Sequence, residues 1–140
     1  MKWLRWTLTL SFIGFLLVGC ARSDFSTPAN ENTLKQALIE SNLQVCAEQP
    51  IQWQTVPGFV SGVYLTVGTD CARPGGNITV ARFDSVAARD GAISNSLNAS
   101  RVPGNHIART LGPLIITVEG VRDDAVTRKI TEALNTIGAK

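Results

Sequence analysis

The sequence predicts an α+β domain, with a mixed, mostly antiparallel sheet of three to five strands and helices packed on one face. The expected element order is α-β-β-β-α-β-α. Three observations predict it. Residues 59–67 alternate apolar and polar or small side chains, the period of a half-buried strand. Residues 124–137 repeat Val126, Ile130, Ala133, Leu134 and Ile137 at helical spacing. Residues 77–118 read strand, helix, strand, and their last five residues are an apolar run of the kind buried in a sheet centre. Helices that cover one face of such a sheet make a two-layer sandwich.

The first helix is expected after Thr33, which with Gln36 fits a capping box. Leu34, Ala37, Leu38 and Ser41 form its inner face, and it should end near Asn42. Residues 43–47 and 51–56 have strand character, but Pro50 interrupts them. Proline removes a ladder donor, so this is an edge strand or two short pieces. In the next strand Phe59, Ser61, Val63, Leu65 and Val67 point one way, and Val60, Gly62, Tyr64 and Thr66 the other. Residues 68–76 are a loop, with Arg73-Pro74-Gly75-Gly76 as its turn signal. Residues 77–83 return antiparallel to it. Asp84 caps a helix over 85–97, with Val86, Ile93 and Leu97 on one stripe; Gly91 weakens it by about 1 kcal/mol. Residues 107–119 are the longest strand candidate, broken or bulged at Gly112-Pro113. Were this strand to neighbour 77–83 after a helical crossover, the two would be parallel, which is why the sheet is expected to be mixed. Asp123 caps the last helix and Gly138 ends it.

A chain of 140 residues suits one domain. Lys plus Arg is 13 and Asp plus Glu is 11. Lys2 and Arg5 lie in a segment expected to be removed, and 13 − 2 leaves 11 against 11. A neutral chain has no overall field to draw it onto a polyphosphate, which argues against a nucleic-acid partner. Charged residues are 17% and hydrophobic ones 44%, too apolar for a disordered chain.

The chain opens on a basic pair, Lys2 and Arg5, followed by an apolar run over 6–18 broken only by Thr7, Thr9 and Ser11. That order is a secretory signal. The run is shorter than the roughly 20 residues a membrane-spanning helix needs. It closes on Leu17-Val18-Gly19-Cys20, which resembles the lipobox of bacterial membrane lipoproteins. The resemblance implies cleavage between Gly19 and Cys20, a diacylglyceryl group on the Cys20 thiol and an N-acyl chain on the new terminus. Residues 1–19 are then the signal peptide, 20–30 the lipidated cysteine and its tether, and 31–140 a single domain. Two or three acyl chains meet the requirement for stable anchoring. Ala21, where an inner-membrane retention signal would place Asp, favours an outer membrane in a diderm cell, with the domain on the periplasmic face. The ten-residue tether spans at most about 35 Å extended and roughly 16 to 19 Å as a coil.

Cys46 and Cys71 remain, and in an exported chain such a pair is expected to be bonded. Metal chemistry finds few donors: there is one His, His106, and the two cysteines are committed. No Gly-x-Ser-x-Gly elbow, Ser-x-x-Lys pair or phosphate loop occurs. His106 follows Pro103-Gly104-Asn105 in a loop, without a nucleophile to activate. No catalytic residue, metal or cofactor is therefore expected beyond the covalent lipid on Cys20. Binding candidates are Trp53, set between Gln52 and Gln54 on an edge strand that invites strand addition, with Phe59 nearby. Arg73, beside the Gly75-Gly76 turn, is the third. The expected role is a non-catalytic, lipid-anchored domain that binds a protein partner in the cell envelope. A small-ligand carrier or sensor is the alternative, and an envelope hydrolase is a weaker one.

Overall fold

The computed structural model describes residues 30–99 and 107–140. The expected signal segment, Cys20, the expected tether as far as residue 29, and His106 lie outside the described residues. The elements are α1 (Glu31–Glu40), β1 (Gln44–Pro50), β2 (Phe59–Gly68), β3 (Gly76–Phe83), α2 (Val86–Ala99), β4 (Ile107–Leu111), β5 (Leu114–Glu119) and α3 (Asp124–Thr136). This is the expected α+β class, with one five-stranded sheet in the order β1-β2-β3-β5-β4.

The longest predicted strand folds back on itself. Gly112 adopts φ +53°, and Leu111 pairs with Leu114 across a two-residue tip. Gly112-Pro113 is therefore a hairpin turn, not a bulge. The hairpin corrects the expected mixed sheet: β3 and β4 do run parallel, but β5 lies between them. All four ladders are antiparallel.

One sheet face carries the core. Val63, Leu65 and Val67 of β2 join Ile78 and Val80 of β3 and Leu114, Ile116 and Val118 of β5. Alternation along each strand puts these positions on the same side. Leu34, Ala37 and Leu38 of α1 and Val126, Ile130, Ala133 and Leu134 of α3 cover them. Removing one such aliphatic side chain from water contributes about 1.5–3 kcal/mol. The α3 stripe and its cap are as the spacing predicts. The Ala125 N–H donates to Asp123 Oδ1 at 2.7 Å, and Gly138 takes φ +73° just past the end. The start of α1 differs. Asn30 is its cap, accepting from the Thr33 N–H at 3.0 Å. Gln36 instead donates to Glu40, one turn on. Ser85, not Asp84, caps α2, its hydroxyl accepting from the Ala88 N–H at 3.1 Å.

The other sheet face has its own buried residues. Ala81 and Phe83 alternate with Ile78 and Val80, so they point away from the core, yet they are 0% and 1% exposed. Of the three helices, α2 is the one that approaches β3 and β5 without contributing to the core cluster. Its Arg89 guanidinium donates to the Gly112 carbonyl at the hairpin tip. A register shift between Phe59 and Ser61 changes the expected β2 alternation. Phe59 falls on the Phe83 side, and Ser61 stays with Val63 on the core side. Gly62 makes room for this, since a Cβ there would stand 3.1 Å from the Phe59 ring.

Candidate functional site

The binding candidates divide between the two ends of the sheet. Trp53 and Phe59 come together where β1 ends and β2 begins. Their ring centroids are 5.4 Å apart and tilted by 40°. Phe59 in turn meets Phe83 edge-on at 6.2 Å, an arrangement aromatic quadrupoles favour. The row runs from a buried ring, Phe83, to a surface one, Trp53, which is 37% exposed.

Trp53 does not lie on an edge strand. β1 ends at Pro50, and residues 51–58 form a turned segment. Its backbone is tied down: the Ile51 N–H donates to the Gly62 carbonyl (2.8 Å), the Val56 N–H to Trp53 (3.1 Å) and the Asp84 N–H to Gly58 (2.8 Å). Strand addition is thus not the contact Trp53 offers; its ring presents a surface.

Gly58 lets this segment close on α2. Its φ is +74°, and a Cβ would stand 2.4 Å from Ala88 Cβ. Both the left-handed backbone and the close approach require glycine. Gly58→Ala is expected to destabilise the domain by about 2–3 kcal/mol, combining left-handed strain with overpacking. Urea denaturation checks this; a change below about 0.5 kcal/mol, the range of ordinary surface substitutions, contradicts it. Beside Gly58 lies an open cleft of about 330 Å³, bordered by Pro57, Asp84, Ser85, Ala88 and Ala92. Its walls are small side chains, and Asp84 is the one ionisable group among them.

Arg73 belongs to the opposite end. The nine steps of β2 between Phe59 and Gly68 carry the chain about 30 Å away. There residues 69–74 are exposed, in a loop held at several points. The Ala72 N–H donates to Asp70 Oδ1 at 2.9 Å. The Arg73 N–H reaches the Asp70 carbonyl at 3.1 Å, and the Gly75 N–H reaches Val67 at 2.9 Å. The expected disulfide joins Cys71 in this loop to Cys46 of β1, with Cα atoms 5.2 Å apart. Cys46 sits where the β1–β2 register shifts, between Val45 and Ala47. Gly75 and Gly76 let the loop pass close to the α3 end: a Cβ on them would stand 2.7 Å from Val126 and 2.8 Å from Val121.

The three candidates read from sequence are therefore two surfaces. One is the aromatic end with Trp53 and Phe59, and the other is the stapled loop with Arg73. Phe83, which backs the aromatic row, escaped the sequence reading; only the strand register brings it opposite Phe59. Among the described residues, no group of three or more His, Cys, Asp or Glu is placed to hold a metal ion, and no helix is long and apolar enough to cross a membrane.

These features define a disulfide-stapled α+β domain with an aromatic end and a braced loop end, in which α1 and α3 cover one sheet face and α2 lies against the other, not all helices on one face as the sequence predicts. No family model, curated protein or solved structure matches the chain.

Proposed function

We propose that the mature chain is a lipid-anchored, extracytoplasmic domain that binds a protein partner in the cell envelope and performs no catalysis of its own. The observation that carries the extracytoplasmic part is the Cys46–Cys71 disulfide. Such bonds persist in oxidising compartments and are rare in the cytosol. It agrees with the signal segment and the lipobox-like Leu17-Val18-Gly19-Cys20, which supply the route and the anchor. The stapled loop supplies the recognition element. A loop already fixed by a disulfide and backbone hydrogen bonds loses little conformational entropy when it docks. Arg73 is exposed on it, and arginine is among the residues enriched at binding hot spots.

The test is crosslinking in cells with a photoreactive residue at position 73 of the tagged full-length protein. Detergent extraction and mass spectrometry identify what is captured, and a Cys20→Ala chain runs beside it. The expected result is one stoichiometric envelope protein, lost when Cys20 is replaced. Absence of any adduct, where known envelope complexes crosslink, overturns the partner reading. The ligand-carrier alternative then takes its place, with the cleft beside Gly58 as the first cavity to search for a co-purifying molecule.

A further inference from the structure

Four large apolar side chains are exposed among the described residues: Trp53 at 37%, Val60 at 57%, Val86 at 49% and Ile39 at 55%. Three of them share one end of the sheet. Trp53 precedes β2, Val60 sits in the β2 register shift beside Phe59, and Val86 opens α2 just past the end of β3. Ile39 alone is near the opposite end, in the last turn of α1. The charges of this end, Glu31, Arg82, Asp84 and the Arg89–Asp90 pair, lie outside the segment that carries Trp53. Residues 51–58, Ile-Gln-Trp-Gln-Thr-Val-Pro-Gly, contain no ionisable side chain, and Gly112-Pro113 forms the hairpin tip there.

The chain enters the domain at this end too. Asn30 is the first described residue, and the Glu31 carboxylate accepts a hydrogen bond from the Ser61 hydroxyl at 3.3 Å. Ser61 is next to Val60. The ten steps back to Cys20 cover at most about 35 Å, and roughly 16 to 19 Å as a coil. Only a coil-like tether would be shorter than β2 is long, and the described chain starts beside Val60, through Ser61.

We infer that the end of the domain carrying Trp53, Val60 and Val86 rests on the lipid surface that holds Cys20. The inference rests on the lipid-anchored reading and adds an orientation to it. The acyl chains already confine the domain to the membrane, so a modest apolar contact meets a high effective concentration of lipid. Trp suits this depth, because its ring is apolar and its N–H stays near water. The stapled loop with Arg73 then faces away from the bilayer, about 30 Å further out.

Fluorescence tests this on the unmodified protein. Trp3 and Trp6 lie in the signal segment, so Trp53 is the single tryptophan of the mature chain. The lipidated full-length mature protein is placed in vesicles of phosphatidylethanolamine and phosphatidylglycerol, with and without lipid brominated near the headgroup end of its acyl chains. Flotation with the vesicles is measured first. The expected result is flotation, a blue-shifted Trp53 emission, about a twofold loss of emission on brominated lipid, and protection from iodide. The variant carrying Val60→Asp and Val86→Asp changes two exposed positions; it should still float but lose the quenching. Flotation with an unshifted, iodide-accessible Trp53 overturns the orientation and leaves the anchor standing. Failure to float overturns both. Capture of an envelope protein by a photoreactive residue at position 53 also overturns the orientation, making this end a protein contact.

Discussion

Replacing Cys46 and Cys71 together with serine should lower the stability of the domain by about 3.5 kcal/mol, the loop-closure entropy of a ring of this size. The two residues are 25 apart in sequence, so the ring holds 26 residues counting both ends. A domain of this size has about 5–15 kcal/mol in total, so the loss is a large share of it. The melting temperature should fall on the order of 15 °C. The ring contains most of β1, the 51–58 segment and all of β2. β1 is an edge strand with one hydrogen-bonded neighbour and a register shift at Cys46. It is therefore the element that should fray first. Urea denaturation of the oxidised and reduced chain gives the magnitude, and amide exchange across β1 gives the location. A loss below about 1 kcal/mol would mean that the chain-entropy account fails here, as the measured dependence on loop length sometimes does. In a reducing compartment the same domain would be held by its core alone.

The fold was legible wherever one side of an element had to be apolar. The α3 stripe of Val126, Ile130, Ala133 and Leu134 and the β2 positions Val63, Leu65 and Val67 are buried as their periods require. Where the structure departs from the pattern, a local detail decided. Gly112-Pro113 could bulge a strand or turn it; both leave the same apolar residues on either side. The turn let β5 insert beside β3 and made the sheet antiparallel throughout. Likewise, Thr33 and Asn30 are both capping residues three apart, and the helix began one turn earlier than the Thr33–Gln36 pair implies.

The surfaces were legible by residue type and not by place. Trp53, Phe59 and Arg73 are the residue types that bind, but sequence distance does not say that two stand together and the third about 30 Å away. The reason lies in β2: a ten-residue strand holds the segments at its two ends apart by its own length. The disulfide was more accessible to sequence, because an expected export signal and two cysteines left after the expected lipidation of Cys20 leave one pairing. The residue expected to carry the anchor, Cys20, and the lone imidazole, His106, both lie outside the described residues.

Phe83→Ala is expected to cost about 3–5 kcal/mol, the range for removing a buried aromatic ring. Phe83 is 1% exposed and lies outside the core formed by α1 and α3. The substitution therefore tests whether the second sheet face contributes to stability on its own. Phe83 also backs Phe59, which backs Trp53. Removing it leaves Phe59 without its edge-on partner, worth about 0.5–1.5 kcal/mol beyond burial. Trp53 should respond although it is two rings away, with red-shifted emission and readier quenching by iodide in the still-folded protein. Phe83→Leu separates the two effects. It keeps most of the apolar volume, so the stability loss should be smaller, while the loss of the ring contact should still reach Trp53. If Phe83→Ala costs less than about 1 kcal/mol, the face under α2 is loosely packed and the aromatic end depends on its own backbone ties. If the stability falls as expected and Trp53 does not respond, the three rings are neighbours without being coupled. Trp53 would then be held by the bonds of Ile51 to Gly62 and of Asp84 to Gly58.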